Sequence, residues 1–152
     1  MEKATFGAGC FWHVEEAFRN LKGVLSTTVG YTGGIMKHPT YEDVCTDKTG
    51  HAEVVEVTFD SKIVSYEELV TIFWDIHDPT TQNRQGPDIG TQYRSVIFYH
   101  TPEQKTIAER SKKDLERSGK YKKKIVTEIT TAAVFYPPEE FHQQYLEKHG
   151  AA

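Results

Sequence analysis

Twice along this chain a short apolar run that suits a strand gives way to helical spacing and then to a strand again. Residues Ala4 to Gly9 form such a run and close in Gly7-Ala8-Gly9. The next segment puts Val14, Ala17, Phe18 and Leu21 at i, i+3, i+4 and i+7, and Val24 to Tyr31 is rich in β-branched residues until Gly33-Gly34 breaks it. From Glu53 the cycle repeats, with Val55, Val57 and Phe59 on one face and Glu56 and Thr58 on the other. Strand side chains alternate between two faces while helical ones return every 3.6 residues. A chain patterned this way buries its apolar surface by laying helices on a sheet.

Start and stop signals divide the rest. Ser65-Tyr66-Glu67-Glu68 reads as a capping box. The helix it opens should turn Leu69, Val70, Phe73 and Ile76 inward and stop before His77-Asp78-Pro79, because the residue before proline disfavours helical dihedrals. Arg94 to Tyr99 reads as a strand. Thr101-Pro102-Glu103-Gln104 caps a third helix running to about Ser118. Ile125 to Phe135 reads as a fifth strand, and Pro137-Pro138 introduces a short last helix. Two loops remain, 32–52 and 78–92; the first is long, without period, and holds Tyr41, Cys45 and His51. The expected fold class is α+β, a two-layer sandwich with a ferredoxin-like split β-α-β core and a mixed β-sheet, in one domain spanning 1–152.

Charge and cysteine usage exclude several function classes. Lys plus Arg total 18 against 22 Asp plus Glu, a formal net charge of -4, which does not suit a protein that binds by neutralising phosphates, so no nucleic acid is expected. No apolar run approaches the roughly 20 residues of a membrane span, so no membrane is expected either. Met1 to Thr5 lacks the basic-then-apolar start of a signal peptide, and the expected localisation is cytoplasmic. Two cysteines, Cys10 and Cys45, are too few for a disulfide scaffold. With His51 and His77 they follow no familiar ligand spacing, so no metal is expected. Lys112 to Lys124 collects seven basic residues around Asp114 and Glu116, which suits a solvated helix face and its following turn, or else a docking patch for an acidic partner.

The remaining question is whether a thiol reacts. Cys10 falls at the predicted start of the first helix, where unpaired N–H groups and the helix dipole favour a thiolate; a small buried residue is the alternative. Phe11 and Trp12 follow as core or as walls of an apolar pocket. Glu53 either faces solvent or enters an apolar pocket that keeps it protonated as a general acid. Asp88, in a Gly-rich loop, has the same ambiguity beside a turn-forming role. Tyr41 and Tyr93 lie where a phenol can reach a pocket.

The order of these residues is more specific than any one of them. Gly-Cys-Phe-Trp at 9–12, Gly-Tyr-Thr-Gly-Gly at 30–34, Pro-Thr-Tyr at 39–41, Gly-His-Ala-Glu at 50–53, His-Asp-Pro at 77–79, Gly-Thr-Gln-Tyr-Arg-Ser at 90–95 and His-Gln-Gln-Tyr-Leu at 142–146 together resemble the peptide methionine sulfoxide reductase A family over nearly the whole chain. The resemblance implies an oxidoreductase that reduces the S epimer of methionine sulfoxide, free or in oxidised proteins, without metal or organic cofactor. By it, Cys10 attacks the sulfoxide sulfur, Phe11 and Trp12 seat the methyl group, and Glu53 protonates the sulfoxide oxygen. Tyr41 and Tyr93 hydrogen-bond that oxygen, and Asp88 orients the site. A sulfoxide oxygen leaves poorly unless protonated, so an uncharged acid, two phenols and a thiolate suit the task.

Two departures stand out. His13 follows Cys-Phe-Trp where glycine is common in the family, and it is expected at the surface of the first turn. The family's Gly-rich tail with its resolving cysteine is replaced here by Lys148-His149-Gly150-Ala151-Ala152. The expectation is a one-cysteine cycle with no dedicated resolving cysteine. A Cys10 sulfenic acid would be recycled by an external thiol such as glutaredoxin or glutathione, with thioredoxin a poorer donor and Cys45 a bystander. A non-catalytic ferredoxin-like binding module, and a cysteine hydrolase using Cys10 with His51 or His77, are the readings from other classes.

Overall fold

The computed structural model describes residues 2–9, 11–34, 50–85 and 88–136. Their elements are β1 (Glu2–Ala8), α1 (Phe11–Arg19), β2 (Val24–Thr32), β3 (Ala52–Phe59), α2 (Tyr66–Asp75), β4 (Arg84–Gln85), β5 (Asp88–Ile89), β6 (Ser95–Tyr99), α3 (Pro102–Arg117) and β7 (Glu128–Thr131). Five strands form one sheet in the order β2-β3-β1-β6-β7, and β4 pairs with β5 in a separate two-stranded ribbon. β1 runs antiparallel to β3 and β6, and β2 antiparallel to β3, whereas β7 lies parallel to β6, so the sheet is mixed. The chain is therefore a mixed α/β protein. No helix among the described residues is long and apolar enough to cross a membrane.

Central position explains the sequence of β1: with a neighbour on each side and both faces covered, every residue from Ala4 to Ala8 is buried. Phe6 stacks on Phe18 of α1 at 5.2 Å and on Phe73 of α2 at 5.3 Å, joining both helices to the sheet. Burying a phenylalanine in this way contributes about 2–3 kcal/mol. The opposite face carries Ala52, Val54, Val96 and Phe98, packed against Ala132 and Phe135 of the segment that follows β7. That segment forms a strap. Thr32 Oγ1 donates to the Val134 carbonyl, and Tyr31 and Tyr136 exchange N–H···O bonds of 2.8 and 2.9 Å. Gly30 is needed beneath it, since a Cβ there would lie 2.3 Å from Phe135 Cζ.

The caps lie where the sequence puts them. Ser65 Oγ accepts from the Glu68 N–H and Thr101 Oγ1 from the Gln104 N–H, both at 3.1 Å. The Glu68 carboxylate meets the Ser65 hydroxyl at 3.4 Å. Trp74 is buried beside Leu69, Val70 and Phe73, while Ile76, just beyond the last helical residue, is only partly covered. In the basic run, Lys112 Nζ donates to the Thr127 carbonyl and Lys120 lies 4.0 Å from Asp75, while Lys113 and residues 122–124 are exposed.

Two expectations are corrected. The strand predicted over 125–135 is paired only from Glu128 to Thr131, because β6 offers five residues to pair with and the chain then leaves its edge to become the strap. Loop 78–92 is not irregular throughout, since it contains the β4–β5 ribbon and a 3-10 turn at Thr91–Tyr93. The helix expected after Pro137-Pro138 and most of the 32–52 loop lie outside the described residues.

Candidate active site

β1 delivers the chain to Gly9, whose φ of 101° lies in a region that side chains strain to enter, and α1 begins at Phe11. Cys10 is outside the described residues, as are Tyr41 and Cys45.

Glu53, the second residue of β3, pairs with Tyr31 in the sheet and reaches the N-terminus of α1. Its Oε1 accepts the Phe11 N–H at 3.3 Å, and the residue is 1% exposed. Its Oε2 is buried without a hydrogen-bond partner among the described residues. Burial disfavours the charged form and pushes the carboxyl up to about 8; the Phe11 N–H works the other way, and the Asp88 charge adds a smaller upward push. At neutral pH this group is an uncharged acid whose second oxygen has no partner among those residues. Unpaired buried polar atoms are costly, and such a site suits a ligand oxygen that completes the bond.

An apolar wall flanks the acid. Phe11 is fully covered, with Tyr31 at 5.5 Å and Trp12 at 6.1 Å tilted by 43°, while Trp12 is only partly buried and His13 is exposed. Asp88, half-buried on β5, is close enough for its charge to act on Glu53. Tyr93 ends the 3-10 turn that packs against β3, with its N–H on the Gly90 carbonyl at 3.1 Å. The fold thus gathers Phe11, Trp12, Glu53, Asp88 and Tyr93 on neighbouring elements.

Sequence reasoning missed Tyr31, which packs on Phe11. Tyr31 shares strand parity with the buried Val29, a signal that could have found it. Both histidines considered for a hydrolase have structural partners. His51 is buried, with Nδ1 accepting the Gly34 N–H at 3.0 Å. His77 has Nδ1 2.6 Å from the Phe73 carbonyl, which can only accept, and Nε2 2.7 Å from Ser95 Oγ, itself 2.7 Å from Thr127 Oγ1. Burial lowers the His77 pKa to about 4, so the ring is neutral and both nitrogens are occupied. Among the described residues no three His, Cys, Asp or Glu side chains gather to hold a metal.

The peptide methionine sulfoxide reductase family model matches residues 2–152. The peptide methionine sulfoxide reductase MsrA of Methanothermobacter thermautotrophicus is 65% identical over 148 residues, 97% of this chain and 88% of that protein. Among solved structures, Mxr1 from Saccharomyces cerevisiae in reduced form superposes with a TM-score of 0.92 at 35% identity, over 99% of this chain and 87% of the other. Mxr1 in complex with Trx2 gives 0.67 at 28%, over 95% and 84%. Because the match runs nearly end to end in sequence as well as in fold, this chain belongs to the peptide methionine sulfoxide reductase family.

Proposed function

We propose that this protein reduces the S epimer of methionine sulfoxide, free or in oxidised proteins, to methionine. The observation that carries the reading is Glu53: a carboxyl held protonated near neutral pH, one oxygen on the first helical N–H and the other without a partner among the described residues, one helix start from a cysteine. The Cys10 thiolate attacks the sulfoxide sulfur while Glu53 gives its proton to the oxygen, and the resulting hydroxyl passes to the Cys10 sulfur as the transient S–S bond breaks and the thioether leaves. The sulfur is reduced by two electrons to the thioether, and Cys10 is oxidised by two to the sulfenic acid. Tyr41 and Tyr93 hydrogen-bond the oxygen as charge develops on it, and Asp88 helps keep Glu53 protonated. Trp12 supplies the open face for the methyl group, with Phe11 behind it.

An external thiol then condenses with the sulfenic acid, releasing water, and a second thiol releases Cys10 as the donor disulfide forms. Glutathione, glutaredoxin and thioredoxin all have the chemistry for this. The capture of a solved relative with a thioredoxin supports a protein donor. In this reading Cys45 is a bystander, the cycle uses one cysteine, 1–152 is one catalytic domain, and a thiol-rich compartment such as the cytoplasm suits it. The four strands β2-β3-β1-β6 with α1 and α2 read as a ferredoxin-like split β-α-β core, for which strand order and direction are the support. The test is to quantify methionine after mixing the protein with methionine S-sulfoxide and dithiothreitol. Product is expected from the wild type and none from Cys10→Ser; no product from a folded wild type would refute the reading.

A further inference from the structure

Gln85 has no part in the chemistry above, yet its side chain is hydrogen-bonded to two other residues of its loop. Its Oε1 accepts the Asp78 N–H at 3.0 Å, and its Nε2 donates to the Asp78 carbonyl at 2.7 Å and to Thr81 Oγ1 at 3.2 Å. Asp78 offers one donor and one acceptor from its backbone, and a primary amide is the side chain that answers both at once. On the other side, the Gln85 stem lies against the turn before Cys10. A Cβ on Gly9 would stand 3.0 Å from Gln85 Cβ and 3.1 Å from its Cγ. Within the ribbon Gln85 is the register partner of Asp88, and Gly90 N–H closes the same ribbon on the Asn83 carbonyl at 2.9 Å. One side chain, on the residue paired with Asp88, thus meets both the residue before Cys10 and the Asp78 peptide that follows α2.

We propose that Gln85 is a positioning residue: its amide fastens the Arg84–Ile89 ribbon to the Asp78 peptide and its stem braces Gly9, which holds Asp88 at a fixed distance from Glu53. The proposal rests on the reading of Glu53 as the acid. A two-residue strand pair has little stability of its own, so the ribbon needs an anchor, and the hydrogen bonds to Asp78 and Thr81 put that anchor on Gln85. Glutamate would lack the donor for the Asp78 carbonyl, asparagine would be one methylene too short, and leucine would keep the stem but neither bond.

Gln85→Leu and Gln85→Glu test this with three readouts: exchange of the Asp78 amide, the titration midpoint of Glu53 followed by carboxyl carbon NMR, and single-turnover reduction at varied sulfoxide. Released from its clamp, the Asp78 amide should exchange faster. In Gln85→Leu the Glu53 midpoint should fall, because Asp88 drifts and water enters, whereas in Gln85→Glu the added charge opposes that fall and the exchange and rate readouts carry the test. The saturating rate should drop on the order of 10- to 100-fold, the size of an ångström-scale misplacement, with KM little changed. A side chain that merely stabilised the loop would alter the melting temperature and leave the midpoint in place. An unchanged Glu53 midpoint and saturating rate in both variants would overturn the proposal. If the leucine variant unfolds, the glutamate variant decides on amide exchange and the saturating rate, and an unchanged rate there overturns the proposal. A wild type that makes no methionine would remove the acid role of Glu53, while the exchange and titration readouts still decide the clamp.

Discussion

Glu53→Gln separates the two consequences of a buried acid, one for rate and one for stability. With its pKa pushed from 4.5 up to about 8, Glu53 is protonated in the fold through the neutral range. At pH 7 about 90% of folded molecules carry the proton, whereas an ordinary glutamate would be neutral in about 0.3%. Glutamine keeps the acceptor for the Phe11 N–H but cannot deliver a proton, so the first-turnover rate of methionine formation should fall roughly 10²–10⁴-fold. The wild-type rate should rise with pH as Cys10 ionises, then decline about tenfold per unit above pH 8 as Glu53 loses its proton. The variant should keep the rise and lose the decline. Stability moves oppositely. Because the folded pKa lies above the unfolded one, the unfolded chain releases its proton first, and the fold loses stability as pH rises from 4.5 through 8. At pH 7 the cost approaches about 3 kcal/mol. Glu53→Gln removes that slope, so urea unfolding at pH 5 and pH 8 should differ less in the variant. Rapid-quench rates unchanged by the substitution, or a declining limb that survives it, would refute the acid role.

Two further outcomes follow from the site. Trp12→Ala should raise the KM for methionine sulfoxide as well as slow turnover, since removing a large aromatic face costs about 3 kcal/mol; steady-state kinetics with an unaltered KM would return Trp12 to the core. Cys45→Ser should turn over normally with glutaredoxin, and wild-type protein given one equivalent of sulfoxide without reductant should carry a trappable sulfenic acid on Cys10. A loss of two hydrogens with a Cys10–Cys45 peptide in the mass spectrum would defeat the one-cysteine cycle.

The parts of this molecule that were legible in sequence are those whose cause is local. Thr101 accepting from Gln104, the helix stop before Pro79 and the alternation of β3 follow from neighbouring residues alone. The end of β7 was not legible, because the number of residues it can pair is set by β6, about thirty positions earlier. The β4–β5 ribbon escaped because two residues are shorter than any periodic signal, and its order comes from Gln85 reaching Asp78. For the site, Glu53 could be named as an acid or a surface residue; the choice needed Phe11 above it and the burial that the finished sheet provides.

The strap that follows β7 bears on the order in which this chain folds. Thr32 and Val134 meet across 102 residues of sequence, whereas α1 and the hairpin of β2 with β3 draw on much nearer partners. Closing so long a loop costs more chain entropy than the local pairings do, so it belongs among the late events. Until it closes, Val54, Val96 and Phe98 lack the cover of Ala132 and Phe135 and β2 is without its bridge to Tyr136, the kind of surface through which unfinished sheets join one another. Pulse-labelled hydrogen exchange during refolding should therefore protect the amides of β1 and β3 before those of Tyr31 and Tyr136, and simultaneous protection would contradict this order. The interval between the two is when crowding, or a missing chaperone, decides how much of this protein reaches its working form.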